Sequence, residues 1–138
     1  MGWFGLIKIF KEEAMYSISV TSHFDAAHFL RGYPGKCARL HGHSWKYEVH
    51  ISCGELDNLG MIVDFSILKE SIKQLIEDKY DHFCLNDSEP FTHKNPTAEN
   101  IAREIFRLIN DYALSSNMSL EYVTVWESPE CSASYWEE

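Results

Sequence analysis

Two stretches, residues 16–28 and 41–53, alternate apolar and polar side chains, and this alternation constrains the fold more than any other feature of the chain. A period of two belongs to a strand with one face against a core. In the first stretch Tyr16, Ile18, Val20, Phe24, Ala26 and His28 share one parity. In the second, His41, His43, Trp45, Tyr47, Val49 and Ile51 share one, while Ser44, Lys46, Glu48 and His50 face away. His28 therefore ends one apolar face, and His41 and His43 begin the other. If the two strands pair, three imidazoles point into one half-buried pocket. Neutral imidazole suits Zn²⁺, and three protein ligands leave a fourth tetrahedral position for substrate or water. The competing reading is that a histidine on an apolar face is a satisfied core residue. The matching parity of the third histidine, and Gly42 between the other two, favour a metal site. His23 and His50 have the opposite parity and His93 lies in a polar loop, so these three read as ordinary solvated residues.

The rest of the chain completes a small layered domain. Gly32, Pro34 and Gly35 make residues 29–40 a loop, and Asp57–Gly60 is a turn signal. Asp64 is placed to cap a helix whose apolar stripe is Phe65, Leu68, Ile72, Leu75 and Ile76. Residues 80–96 form an irregular connection. Thr97 is placed to cap a second helix with Ile101, Ala102, Ile105, Leu108 and Ile109 on one side. Residues 120–127 alternate again, and 131–136 make a last short strand. The order strand, strand, helix, helix, strand, strand gives an α+β fold, with two helices on one face of an antiparallel four-stranded sheet. With 138 residues the chain suits one domain, spanning 16–138, with residues 1–15 as an N-terminal arm or upstream start.

Composition limits the partners. A formal net charge of −9 disfavours general nucleic-acid binding. Arg31, Lys36, Arg39 and Lys46 nevertheless cluster around the histidines in sequence, which suggests one small anion rather than a polyanion. The four cysteines, Cys37, Cys53, Cys84 and Cys131, form no Cys-x-x-Cys pair, and no secretory signal is visible, so a reducing, cytoplasmic setting is expected. The apolar run Gly5–Phe10 is too short to span a bilayer.

Three further groups can carry chemistry. Cys37 lies between Lys36 and Arg39, and cationic neighbours or a nearby metal favour its thiolate, as base, nucleophile or ligand. As a ligand it would close a Cys-His₃ structural site; off the metal it is a proton-transfer group. Asp81 precedes His82, and a carboxylate beside an imidazole can orient it and raise its basicity. Glu127 shares parity with Val123 and Val125, so its carboxylate ends an apolar face and calls for a cation or paired donors, such as a guanidine-like edge.

Six stretches, in order, resemble the 6-pyruvoyl-tetrahydropterin synthase superfamily, and more closely its 6-carboxy-5,6,7,8-tetrahydropterin synthase branch. They are Phe24–His28, Cys37–His43, Gly60–Phe65, Tyr80–Asn86, Asn95–Asn100 and Val125–Ser128. The resemblance implies the tunnelling fold (T-fold) and a homo-oligomer, commonly a hexamer of two trimers, with active sites between subunits. It implies zinc on His28, His41 and His43, proton transfer by Cys37 and by His82 with Asp81, and a pterin anchored by Glu127. It places Thr97 and Glu99 near the pterin. Lys36 and Arg39 are the expected cations for a triphosphate. The Cys-x₃-His-Gly-His spacing is that of the carboxy-forming branch. The implied reaction converts 7,8-dihydroneopterin triphosphate to 6-carboxy-5,6,7,8-tetrahydropterin, acetaldehyde and triphosphate, in queuosine biosynthesis. The alternatives are the pyruvoyl-forming reaction and a non-catalytic zinc module.

Overall fold

The computed structural model describes residues 15–138. The expected arm at 1–15 lies outside the described residues, Met15 excepted. The two alternating stretches are strands β1 (Tyr16–His28) and β2 (His41–Cys53). They pair antiparallel from Tyr16 opposite Cys53 to His28 opposite His41. That register puts Val20 beside Val49, Phe24 beside Trp45 and Ala26 beside His43, so the two apolar faces become one. Strands β3 (Ser119–Ser128) and β4 (Cys131–Tyr135) complete a four-stranded antiparallel sheet in the order β1-β2-β3-β4.

Both helices cover the apolar face. Helix α1 (Phe65–Ile72) starts at Asp64, whose carboxylate accepts from the Ser66 amide at 2.8 Å. It runs on through a π-helical segment, Lys73–Glu77, to Tyr80. Helix α2 (Ala98–Ser115) starts at Thr97, whose Oγ1 accepts from the Asn100 amide at 3.2 Å. The core joins Phe24, Trp45, Tyr47 and Ile51 from the sheet, Leu68, Ile72 and Ile76 from the first helix, and Ile101, Ile105 and Ile109 from the second. Apolar burial on this scale is the main stabilising term of such a domain.

Three expectations need correction. Phe65 is exposed, because the first residue after the cap is turned away from the sheet. His50 is half-buried rather than solvated: it pairs with Glu48 at 2.7 Å and stacks on Tyr122 at 4.0 Å. Lys46 does not join the histidines; it lies on the opposite face of β2, with its ammonium 4.6 Å from the Trp126 ring centroid.

Candidate metal centre and active site

The strand register alone brings the three histidines together. His28 and His41 are opposite each other at the open end of the β1–β2 ladder, and His43 is one side-chain period further along β2. The ring centroids lie 4.5 Å (28–41), 5.0 Å (28–43) and 4.9 Å (41–43) apart. Trp45 floors the group, edge-on to His28 at 4.9 Å and to His43 at 5.2 Å. His28 Nδ1 donates to the Pro96 carbonyl at 2.8 Å, and His41 Nδ1 donates to the Arg39 carbonyl at 2.6 Å. A carbonyl only accepts, so both rings carry their proton on Nδ1 and present an Nε2 lone pair inward when neutral. Those two Nε2 atoms face each other at 3.0 Å. Two lone pairs at that distance repel unless a cation lies between them. Nitrogens bound to one tetrahedral zinc at about 2.0–2.1 Å stand about 3.3 Å apart, close to this spacing.

Burial also selects the ligating form. His28 is only 1% exposed. Loss of solvent pushes its pKa below the ordinary histidine value, despite the Pro96 carbonyl; His43 is lowered for the same reason, opposed by Glu127. His43 Nε2 is buried with no well-directed hydrogen bond of its own. Glu127 completes the group: its Oε1 is 2.9 Å from His43 Nε2 and 3.7 Å from His28 Nε2. It continues the inward row of Val123 and Val125 on β3 and sits at a β-bulge. Trp126 pairs with Ser132 and Ser128 with Cys131, so Glu127 has no partner on β4. The four ligating atoms of His28, His41, His43 and Glu127 lie within 4.8 Å of one another. The donor set fits a divalent metal of the zinc type.

Cys37 does not join this group. It sits half-buried in a single 3₁₀ turn, Lys36–Ala38, and its carbonyl accepts from the Leu30 amide at 2.9 Å. The thiol is thus apart from the ligand set that a closed Cys-His₃ site would need. Asp81 and His82 form a second group with Asp25, a residue not singled out in the sequence. Asp81 Oδ1 accepts from the Asp25 amide at 2.9 Å, and the His82 amide donates to the Asp25 carbonyl at 2.6 Å. The Asp25 amide is the main reason the Asp81 carboxyl lies below the usual carboxylate range. Asp81 Oδ2 holds His82 Nδ1 at 2.9 Å, and the His82 side chain is 78% exposed. His82 has φ +63°, a left-handed backbone that costs a residue with a Cβ about 1–2 kcal/mol and that the two backbone contacts to β1 sustain. An open cleft of about 570 Å³ joins His43, Gly42 and Ser44 to Asp25 and His82. A Cβ on Gly42 would meet only the Ala26 carbonyl oxygen, at 3.8 Å, so packing does not demand glycine there.

A profile of the family described as 6-pyruvoyl tetrahydropterin synthase matches residues 17–138. The chain belongs to that family. Among curated members of this synthase family, the 6-carboxy-5,6,7,8-tetrahydropterin synthase of Haemophilus influenzae is 36% identical over 149 aligned positions, covering 89% of this chain and 100% of the relative. The protein of the same name from Bacillus subtilis is 34% identical over 121 positions, covering 83% and 80%. Among solved structures, the 6-pyruvoyl tetrahydropterin synthase of Caenorhabditis elegans superposes with a TM-score of 0.79 at 27% identity, over 91% of this chain and 97% of that one.

Within this synthase fold the remaining expected residues take identifiable places. Thr97 caps α2, and Glu99 is exposed in its first turn, where a carboxylate favours the helix N-terminus. Lys36 and Arg39 are exposed on either side of Cys37, and Arg39 also supplies the carbonyl that orients His41. The contributions that sequence reasoning missed come mostly from backbone groups: the carbonyls of Pro96 and Arg39 on the histidines, and the amide and carbonyl of Asp25, a residue not singled out, beneath the Asp81–His82 pair.

Proposed function

We propose that the chain is a zinc-dependent lyase that converts 7,8-dihydroneopterin triphosphate to 6-carboxy-5,6,7,8-tetrahydropterin with release of acetaldehyde and triphosphate, within queuosine biosynthesis in the cytoplasm. One observation carries the reading: three histidines converge, two of them presenting Nε2 lone pairs, and His43 of that group lines a cleft with His82, which Asp81 orients. The names of the curated relatives support the carboxy product. His28, His41 and His43 would hold the metal, which when bound supplies Lewis acidity toward the hydroxyls of the substrate side chain. Cys37, outside the ligand group, takes and returns protons as thiolate. His82, oriented by Asp81, serves as the other proton-transfer group. Glu127, 34% exposed beside the ligands, accepts the paired N–H groups of the pterin edge. Lys36 and Arg39 attract the triphosphate. Thr97 shapes the pterin side of the site through the start of α2, and Glu99 stands beside it. The working form is a homo-oligomer, a hexamer of two trimers, and the exposed His82 ring is available to a neighbouring subunit.

Incubation of the zinc-loaded protein with 7,8-dihydroneopterin triphosphate tests this. Acetaldehyde and a carboxylated pterin are expected. A pyruvoyl product without acetaldehyde would establish the second reading, which the C. elegans relative's name favours. A protein that unfolds on chelation and turns over neither substrate nor product would be a structural zinc module.

A further inference from the structure

The β1–β2 ladder stops at His28, because its partner His41 is the first residue of β2. The backbone just beyond needs other hydrogen-bond partners. Two asparagine side chains supply them. Asn86 Oδ1 accepts from the Phe29 amide at 2.9 Å, and its Nδ2 donates to the Phe29 carbonyl at 2.9 Å. Asn95 repeats this two residues on: Oδ1 accepts from the Arg31 amide at 2.8 Å and Nδ2 donates to the Arg31 carbonyl at 3.0 Å. Just before them the Ala27 amide donates to the Phe83 carbonyl at 3.1 Å. Residues 27, 29 and 31 are bonded in turn by Phe83, Asn86 and Asn95 as the chain leaves β1. Each side-chain amide thus stands in for one residue of a neighbouring strand, offering one donor and one acceptor.

Both active elements hang from this pairing. Pro96, which follows Asn95, gives the carbonyl that fixes His28 Nδ1 at 2.8 Å. The Asn95 carbonyl is itself held by Asn100 Nδ2 and the Thr97 amide, both at 2.9 Å, at the start of α2. Between Phe29 and Arg31, the Leu30 amide donates to the Cys37 carbonyl. We propose that Asn86 and Asn95 are positioning residues for the metal centre: their paired amides set the tautomer and aim of His28 and anchor the start of the 29–40 loop that carries Cys37. The proposal rests on the metal reading above. A buried asparagine that serves packing alone needs only its own groups satisfied, whereas here both side chains match the backbone period of the chain that carries a ligand. Partners that fix a ligating histidine are worth about 10–100-fold in metal affinity.

The test uses Asn95→Ala and Asn86→Ala; Asn95 is partly exposed, so its variant is expected to fold even if the buried Asn86 site does not tolerate change. Imidazole nitrogen NMR on metal-free protein reads the His28 tautomer. Chelator competition reads Zn²⁺ affinity, and the visible spectrum of the Co²⁺ form reads coordination. The parent is expected to show one Nδ1–H tautomer. The variants are expected to show a tautomer mixture, Zn²⁺ affinity 10–100-fold weaker, and an altered Co²⁺ band. Asn95→Asp, which keeps only the acceptor, should fall between. Variants that melt lower yet keep the tautomer, affinity and Co²⁺ band of the parent would overturn the proposal. If the parent itself takes up no Zn²⁺, the metal reading falls, while the His28 tautomer in the variants still decides whether the asparagines position that ring.

Discussion

Thr97→Ala separates two roles for a residue that lies one position from the carbonyl orienting His28. In the structure its Oγ1 accepts from the Asn100 amide at 3.2 Å and so satisfies one of the open donors of α2. Loss of such a cap costs about 1 kcal/mol, within a span of roughly 0.5–2. Unfolding entropy near 60 °C is about 2.1 cal/mol/K per residue, or roughly 0.3 kcal/mol/K for a chain of this length. The expected drop in Tm is therefore about 3–4 °C, read by calorimetry on the metal-loaded protein. Thr97→Ser keeps the oxygen and should recover most of it. KM for the pterin should stay within about twofold if capping is the main role, since one lost ligand hydrogen bond would raise it by about tenfold. A variant with parental Tm and a KM raised tenfold would refute the capping account and establish a direct contact with substrate.

Cys37→Ala should retain stoichiometric zinc, measured by elemental analysis, and lose turnover; loss of zinc would make the sulfur a ligand. Glu127→Gln should weaken pterin binding in calorimetric titration with zinc content unchanged, and a fall in zinc content would instead make this carboxylate the fourth ligand. The metal-free protein should be less stable in acid. The folded-state pKa values of His28 and His43 lie below the ordinary 6.5, chiefly through burial, so the unfolded chain binds more protons below that pH. Urea midpoints should be level above about pH 6.5 and fall as pH is lowered through and beneath it, and a midpoint independent of pH between 7.5 and 5 would count against buried neutral rings.

Much of the site was legible because a strand's period leaves little choice. Once residues 16–28 and 41–53 are strands with one buried face, His28, His41 and His43 face the same way, and burial of Phe24 against Trp45 fixes the register that joins them. The caps Asp64 and Thr97 were legible for a similar local reason: a short polar side chain precedes an apolar helical stripe. What escaped depended on departures from regularity. The β-bulge beside Glu127 carries no marker residue such as glycine. The exposure of Phe65 depends on where the first turn meets the sheet. The parts played by Pro96, Arg39, Asn86 and Asn95 are set by backbone carbonyls and amides, whose positions follow from loop paths rather than from residue type.

The outer rungs of β1 at Asp25 and Ala27, and the backbone just past its end at Phe29 and Arg31, are already taken up by the chain itself. Among the described residues, only the first half of that strand, through Ser17, Ser19, Thr21 and His23, keeps an unsatisfied border. A neighbouring subunit that extends the sheet there runs out of rungs before it reaches the histidines. Every seam built on this border is therefore zipped at one end and gaping at the other, and the gap opens beside the three histidines.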